Sequence, residues 1–237
     1  MHFTILRFLK STFIKLRLHV LLGPFSNLFL QLAYMSKLSK WASANKHVAF
    51  NDFYSKWNYE KRYSLYEQVL KTEDLGGVIN YLEFGVANGV SFKWWLANNS
   101  NAASRFHGFD TFDGLPEDFG PYKKGTFSSN YKVPEINDHR GKFYTGLFQQ
   151  TLPGFLKDFD NTPRTVLMLD ADLYTATLYT LASLAPFLKK GDIIFFDEFV
   201  VPTHEFMAYE NFIKSWYFEL ELIATANNYY FVAFRVK

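Results

Sequence analysis

Residues 78–91 read Val-Ile-Asn-Tyr-Leu-Glu-Phe-Gly-Val-Ala-Asn-Gly-Val-Ser, and this stretch decides the fold. An apolar run that ends at Phe84 is followed by a turn containing Gly85 and Gly89, and a helix opens near Ser91. Short apolar runs bounded by glycine are typical of buried strands. The two glycines allow the backbone to turn tightly and to approach a ligand. The stretch therefore predicts a strand, a ligand-facing turn and a helix in succession.

The same alternation continues to the end of the chain. We predict strands at 78–84, 105–109, 142–144, 165–169 and 192–196, helices at about 52–71, 91–96, 175–190 and 204–216, and a closing hairpin at 218–225 and 229–236. Asn51 or Asp52 would cap the first helix, and Lys189 and Lys190 would lie in the last turn of the third. The strands at 165–169 and 192–196 are apolar throughout, which is typical of parallel strands covered on both faces. The predicted fold class is therefore α/β, with a doubly wound and mostly parallel sheet.

Acidic residues stand where several of these strands end. In doubly wound sheets, ligands bind at the carboxyl ends of the strands. Here those ends carry Glu83, Asp110, Asp170, Asp197 and Glu198. The Asp110 carboxylate can accept two hydrogen bonds from a ribose diol. The turn lacks the G-x-G-x-x-G pattern because Ala87 replaces the second glycine, which disfavours a nicotinamide dehydrogenase. The alternative interpretation is that these acids only cap helices.

Two acidic clusters, Asp170-Ala-Asp172 and Asp197-Glu198, follow strands that should be neighbours. Oxygen donors without Cys or His suit a hard cation such as Mg²⁺. No Lys or Arg stands within five residues of Asp170 or of the second cluster. Three carboxylates close together would leave one protonated unless a cation neutralised them. We therefore expect the two clusters to hold one divalent cation.

The composition of the 237-residue chain excludes several classes of protein. It contains no cysteine, which excludes a disulfide scaffold, Cys-ligated zinc or iron–sulfur sites and a cysteine nucleophile. The hydrophobic fraction is 49% and the charged fraction 20%, as in globular proteins. Seven Lys or Arg precede the first acid, Asp52, whereas the remainder carries 18 Lys or Arg against 23 Asp or Glu. This acidic remainder disfavours nucleic-acid binding.

The basic N-terminal segment mixes large apolar residues with cations. Within residues 3–17, five apolar residues fall near one helical stripe: Phe3, Leu6, Leu9, Phe13 and Leu16. Residues 18–36 carry no Asp, Glu, Lys or Arg, but Gly23-Pro24 would break a membrane-spanning helix in the middle. We expect an arm over 1–50 that contacts an anionic membrane through residues 1–36, followed by a domain over 51–237. The alternatives are a helical cover or dimer seam, and a signal peptide or span.

Five segments carry a resemblance to a known family. They are Tyr81–Ser91, Gly108–Glu117, Gly146–Pro153, Leu169–Tyr174 and Gly191–Glu198. Together they look like a class I S-adenosylmethionine-dependent methyltransferase, and they resemble the metal-dependent macrocin O-methyltransferase family more closely. They appear in family order across about residues 78–215, whereas the arm and residues 37–70 lie outside the resemblance.

The resemblance implies a seven-stranded sheet whose last hairpin is inserted antiparallel, with S-adenosylmethionine and Mg²⁺ as cofactors. The cofactor would contact Glu83, Gly85, Gly89, Ser91 and Asp110, with Glu83 and Gly85 beside its methionine part and Asp110 on its ribose. Asp170, Asp197 and Glu198 would ligate the metal, and Asp172 would be the general base. Many relatives have Asp where this chain has Glu198, and glutamate keeps the charge but is one methylene longer.

The implied function is metal-assisted O-methyl transfer to a hydroxyl of a sugar or a glycosylated natural product. Residues 112–140 would form the lid over the acceptor, and His139 and His204 are candidate acceptor contacts. We also expect a homo-oligomer in the cytoplasm, at the inner face of the membrane. One alternative is a glycosyltransferase, because Asp170-Ala-Asp172 matches the D-x-D motif. Another is a non-catalytic membrane adaptor.

Overall fold

The predicted alternation of strands and helices is present in the computed structural model, which describes residues 2–53 and 56–237. The strands are β1 (Phe50–Asn51), β2 (Ile79–Phe84), β3 (Arg105–Asp110), β4 (Gly141–Thr145), β5 (Arg164–Leu169), β6 (Ile193–Phe196), β7 (Leu220–Ala226) and β8 (Phe231–Val236). The helices are α1 (His2–Lys15), α2 (His19–Leu22), α3 (Ser26–Ala44), α4 (Lys61–Thr72), α5 (Val90–Asn98), α6 (Phe148–Leu156), α7 (Tyr174–Leu184) and α8 (Glu205–Trp216). A 3₁₀ turn, Gly23–Phe25, joins α2 to α3.

The strands form one sheet in the order β1-β7-β8-β6-β5-β2-β3-β4. Strands β2 to β6 are parallel, and β8 is antiparallel to both of its neighbours, β6 and β7. The doubly wound fold and the inserted hairpin are therefore confirmed. The described residues form eight strands rather than seven, because Phe50 and Asn51 pair with β7 as a short parallel strand. This pairing covers an edge that would otherwise be open.

Two predicted helix boundaries are wrong. The helix predicted from about residue 52 begins at Lys61, and Asn51 lies in β1, where its side chain accepts a hydrogen bond from Phe53 N at 2.8 Å. Tyr54 and Ser55, which fall inside the predicted helix, lie outside the described residues. Helix α7 ends at Leu184 rather than at 190, since Pro186 follows and proline disfavours helix for the residue before it.

The lysines predicted for the last turn of α7 lie beyond the helix. The ammonium of Lys189 instead donates to the carbonyl oxygen of Pro163 at 2.7 Å. Lys189 therefore connects the segment after α7 to the loop before β5, and it is too far beyond the helix end to interact with the helix dipole.

The core has two layers, one on each face of the sheet. Along β2, Ile79 and Tyr81 belong to one layer, whereas Leu82 and Phe84 belong to the other, and all four are buried. A strand buried on both faces cannot show the polar alternation of a solvent-facing strand. This explains why the central strands are continuous apolar runs.

The second half of α3 packs against the domain, whereas the segment before it is exposed. Trp41 lies against Phe199 with ring centroids 4.8 Å apart, and Tyr34 and Leu38 pack on the same cluster. Gln31 donates to the Thr203 hydroxyl at 2.8 Å. Residues 34–42 are thus part of the packing of the domain.

Among the described residues, no single helix has both the length and the hydropathy needed to cross a membrane. The stretches Phe3–Lys15 and His19–Ala44 meet the criterion only when they are taken together, and they are bent by 77° at the break between them.

Trp41 tests where α3 begins to support the fold. We expect Trp41→Ala to lower the free energy of unfolding by about 2–4 kcal/mol, since it removes a large ring from an aromatic cluster. Phe29→Ala on the exposed part of the same helix should change it by less than about 0.5 kcal/mol. Urea unfolding followed by circular dichroism measures both. If both variants lose the same free energy of unfolding, the division of α3 into an exposed first half and a packed second half is wrong.

Candidate active site

The carboxyl ends of the parallel strands open into a cavity of about 910 Å³. Six of the residues singled out from the sequence line it: Gly85, Asp110, Asp170, Asp172, Asp197 and Glu198. These residues come from four different strand ends, β2, β3, β5 and β6. The parallel sheet brings them to one edge, as the general rule for ligand sites in such sheets predicts.

Gly85 begins the turn after β2 and requires a glycine. Its φ is 93°, and a Cβ atom at this position would overlap the carbonyl oxygen of Asp170. Its N–H donates to the carbonyl oxygen of Phe109 at 3.0 Å. The turn is therefore packed directly against the end of β5, and its backbone forms part of the cavity wall.

The Asp110 side chain fixes the same turn from the neighbouring strand. Its Oδ2 accepts hydrogen bonds from Val86 N and Ala87 N, each at 2.7 Å, and its Oδ1 accepts one from Phe112 N at 2.8 Å. A carboxylate has about four acceptor positions, so one stays available to a ligand hydroxyl. Asp110 thus organises the turn and also faces the cavity.

The other three predicted cofactor residues lie behind the cavity wall. Glu83 is buried and accepts a hydrogen bond from the Tyr81 hydroxyl at 2.6 Å; burial raises the pKa of Glu83 well above its usual range. Gly89, with φ 71°, precedes the first turn of α5 and sits close to Pro134. Ser91 is buried in that helix. None of the three is among the residues lining the cavity, so they support the turn from behind.

Arg62, at the start of α4, is the functional residue that the sequence analysis missed. Its side chain is only 4% exposed, and its guanidinium donates to Asp197 Oδ2. The same group lies 3.6 Å from Asp170 Oδ2 and donates to the Ser91 hydroxyl at 3.1 Å. Its planar face covers the ring of Tyr59 at 3.8 Å from the centroid. A cation from a distant helix therefore contacts one carboxylate of each acidic cluster and offsets part of their charge.

The negative charge at the site exceeds what one guanidinium can balance. Burial, followed by the neighbouring Asp170, raises the pKa of Asp197 well above its usual range, although Arg62 opposes this effect. Asp197 Oδ1 is buried and has no hydrogen-bond partner among the described residues. Glu198 turns towards the hydroxyl of Tyr230, from which it accepts a hydrogen bond at 2.5 Å. Within residues 2–53 and 56–237, no three His, Cys, Asp or Glu side chains are grouped closely enough to hold a metal ion.

Asp172 faces the cavity from the loop between β5 and α7. Its φ of 58° is left-handed, a conformation that non-glycine residues rarely adopt outside special sites. Burial, followed by the charge of Asp170, raises the pKa of Asp172 to about 8. A carboxyl group with this pKa is a stronger base than an ordinary carboxylate, and it is mostly ionised and able to accept a proton only above about pH 8.

Aromatic side chains from two separate segments complete the cavity walls. Trp57 and Tyr59 come from the segment before α4, and Tyr230 comes from the start of β8. The segment 57–62 lay outside the family resemblance, so no motif indicated its role. The high aromatic content of the chain was the only signal, and it does not single out these positions.

The segment between β3 and β4 lies over the cavity, as expected of a lid. Its members Leu115 and Phe119 form a small buried cluster with Leu173. The Thr175 hydroxyl donates to Glu117 Oε1 at 2.6 Å, which ties the segment to α7. Neither candidate histidine lines the cavity. His139 is exposed, and His204 packs under Phe119.

Removing the Arg62 guanidinium should unbalance the buried carboxylates. We expect Arg62→Met to lower the free energy of unfolding by about 3–5 kcal/mol, the cost of a buried charge left without its partner. The matched control Arg62→Lys keeps the charge and should lose less. The double variant Arg62→Met/Asp197→Asn should recover part of the loss. Urea unfolding measures all three, and an Arg62→Met protein as stable as the native chain would contradict this role.

Comparison with known proteins agrees with this geometry. Residues 82–199 match the family model described as a methyltransferase domain. Solved structures with the same fold include the calicheamicin methyltransferase CalS11, at 23% identity over 75% of this chain and 77% of that one with a TM-score of 0.55. A second CalS11 structure, titled a TDP-rhamnose 3′-O-methyltransferase, matches at 25% identity over 75% and 78% of the two chains with a TM-score of 0.50. The O-methyltransferase NovP matches at 20% identity over 75% and 78% with a TM-score of 0.54.

A search of curated protein sequences gave no significant match. The family match begins within β2, ends just after β6 and so contains the Gly85 turn and every carboxylate that lines the cavity. The fold and the motifs agree with the resemblance seen in the sequence. Residues 82–199 therefore form a methyltransferase domain, and the fold is that of class I S-adenosylmethionine-dependent methyltransferases, as the resemblance implies.

Proposed function

We propose that the protein transfers the methyl group of S-adenosylmethionine to a hydroxyl of a sugar or of a glycosylated small molecule. The main support is that one cavity is lined both by the Gly85 turn with Asp110 and by Asp172, which follows the end of β5. The cavity volume of about 910 Å³ is near the upper end of the range for ligand pockets, which suits a cofactor together with an acceptor.

In this proposal the cofactor lies across the strand ends in the order of the sheet. The exposed backbone of the turn at Gly85 would border its methionine part. The free acceptor position of Asp110 would take a ribose hydroxyl. Leu147 and Phe148, which line the cavity after β4, would then lie beside the adenine, because β4 is the strand next to β3.

Asp172 is the proposed general base. It would accept the proton of the acceptor hydroxyl and so leave the oxygen with the electron pair that forms the new bond. When bound, S-adenosylmethionine supplies a sulfonium methyl group, and the electron pair of the broken S–CH₃ bond returns to sulfur. The walls hold the acceptor oxygen in line with the methyl group, and this positioning supplies much of the rate enhancement.

The acceptor class rests on the walls and on the relatives. Trp57, Tyr59 and Tyr230 offer both apolar rings and hydroxyl groups on one side of the cavity, and the lid adds Tyr122 and Phe127. Such surfaces suit a ligand that has polar edges and apolar faces. The solved structure of CalS11 is titled a methyltransferase of a nucleotide-linked rhamnose. Methylation at oxygen and the sugar acceptor are thus parts of the proposal.

Metal assistance stays a prediction. The donors suit Mg²⁺ in chemistry, since Asp170, Asp197 and Glu198 are hard oxygen ligands and Asp197 Oδ1 has no partner among the described residues. In their present arrangement the three are not grouped closely enough to hold a metal ion; Arg62 pairs with Asp170 and Asp197, and Glu198 accepts a hydrogen bond from Tyr230. A bound cation would lower the pKa of the acceptor hydroxyl. The proton transfer to Asp172 is derived without it.

Homo-oligomerisation and a cytoplasmic location at the inner face of the membrane also stay predictions. A glycosyltransferase remains the alternative, in which Asp170 and Asp172 would act as the D-x-D motif. Ligand binding separates the two functions.

Ligand binding tests the proposed cofactor site. S-adenosylmethionine at about 100 times its dissociation constant should stabilise the protein by about 2.7 kcal/mol, and it should do so with no nucleotide sugar present. Asp110→Ala should weaken cofactor binding by about 1–3 kcal/mol, because it removes a charge-assisted hydrogen bond. Thermal unfolding and calorimetry measure these effects. Stabilisation by the nucleotide sugar alone would favour the glycosyltransferase, and unchanged affinity of the Asp110 variant would refute its assignment.

Two substitutions separate the general base from the predicted metal ligands. Asp172→Asn should lower the rate of methyl transfer by about 10²–10⁴-fold while Mn²⁺ binding, measured by calorimetry, is retained. Asp170→Asn should lose Mn²⁺ binding and activity but keep the fold. Cofactor binding by both variants serves as the control. If the native protein binds no Mn²⁺ and retains full activity in excess chelator, Arg62 alone neutralises the cluster and the metal prediction is wrong.

A further inference from the structure

The segment from α1 to the first half of α3 exposes far more apolar surface than the rest of the molecule. Phe3 is 83% exposed, Ile14 77% and Val20 71%. Isolated apolar residues on a surface are ordinary, but a contiguous run of them marks an interaction site. Residues 3–35 hold 17 of the exposed large apolar side chains of the described chain.

Helix α1 and the residue after it carry five large apolar side chains on one face, whereas Phe3, Phe8 and Ile14 lie outside that face. At about 100° per residue, a single arc of about 100° contains Ile5, Leu6, Leu9, Phe13 and Leu16. All five side chains are at least 41% exposed. Arg7 and Lys15 project from the opposite side of this helix, and Lys10 lies at the flank of the apolar arc. The helix therefore has an uncovered apolar face with cations around it.

Helix α3 changes character halfway along its length. The side that packs on the domain contains Gln31, Leu38 and Trp41. On the free side, Leu28 and Leu32 are each 54% exposed, and the neighbouring Met35 is 53% exposed. The free side of the next turns is polar, with Ser36, Ser39 and Lys40. The apolar surface thus stops at the point where α3 reaches the domain.

The positive charge of this surface indicates which kind of partner binds it. The chain carries four cations and no acid in its first 25 residues, namely Arg7, Lys10, Lys15 and Arg17. The same segment from a second copy would carry the same charge and be repelled. An apolar face whose charged neighbours are all cations complements a surface that has an apolar interior and an anionic edge. A bilayer containing anionic lipids has both properties.

We propose that α1, α2 and the first half of α3 form a membrane-docking arm, which lies on an anionic lipid surface and holds the domain beside it. This proposal goes beyond the methyltransferase activity and does not depend on it. The arm joins the domain next to the catalytic cavity, since Trp41 packs on Phe199 and Phe199 follows the cavity residue Glu198. Docking would therefore fix the wall of the cavity that contains Glu198 relative to the membrane.

Vesicle sedimentation of the full chain tests the proposal. The protein should bind vesicles of phosphatidylcholine with about 30% phosphatidylglycerol far more tightly than pure phosphatidylcholine vesicles. Arg7→Gln/Lys10→Gln should lower the partition coefficient about 30-fold, at about 1 kcal/mol for each cation. The matched control Lys93→Gln/Lys190→Gln removes the same charge from exposed positions on the domain and should have little effect. Leu9→Ser/Phe13→Ser should lower binding at least about tenfold by removing apolar burial.

Three outcomes would overturn the proposal. The first is equal affinity for the neutral and anionic vesicles. The second is an equal loss for the arm pair and the control pair, which would reduce the effect to net charge. The third is self-association that Leu9→Ser/Phe13→Ser abolishes, with no vesicle binding, which would show that a second copy covers the apolar face. S-adenosylmethionine binding by every variant, measured by calorimetry, keeps these outcomes separate from a failure of the catalytic assignment.

Discussion

The packing of negative charge at one edge of the sheet is the constraint on which the rest of the structure depends. Parallel strands end on the same side, so their terminal carboxylates must share one region. Asp170 and Asp197 meet there with little access to water, and burial alone would drive protons onto them. The guanidinium of Arg62 contacts both carboxylates and opposes this effect. A cavity lined by acids is therefore stabilised by a cation that comes from outside the sheet.

The segment 57–62, which supplies this cation, makes several contacts with the site. Arg62 lies at the start of α4, three residues after Tyr59, whose ring it covers and which lines the cavity. It also reaches Ser91 at the start of α5, so it connects the turn after β2 to the ends of β5 and β6. The residues before the recognisable methyltransferase motifs thus form one wall of the cavity. The lid, fixed by Glu117 and Thr175, closes another.

The same wall connects the site to the N-terminal helices. Trp41 on α3 packs against Phe199, directly after Glu198, and Tyr229 donates to the carbonyl oxygen of Ala42 at 3.2 Å beside Tyr230. A change at the arm would reach the cavity through these packed rings rather than through a flexible linker. The proposed membrane contact and the proposed catalytic site are therefore neighbours in the structure, although they are far apart in the sequence.

The sequence by itself determined the order of the elements and the chemistry of the strand ends. Apolar runs, glycine turns and the acids after them depend on neighbours along the chain, so β2, β3, β5, β6 and the closing hairpin could be read from local pattern. The glycine requirement at Gly85 was visible for the same reason. The start of α4 and the end of α7 were misplaced, since Asn51 joins the sheet edge and Pro186 ends the helix early.

Only the tertiary structure decided which groups neutralise, cover or support the site. Arg62 is 108 residues from Asp170 and 135 from Asp197 along the chain, and no spacing rule links residues that meet only when α4 packs beside the sheet. Glu83 and Ser91 fit the motif but are buried, because β2 is covered on both faces and Ser91 lies on the side of α5 that contacts Arg62. The positions of the acids could be predicted from the local sequence, whereas the position of the cation beside them depends on how α4 packs against the sheet.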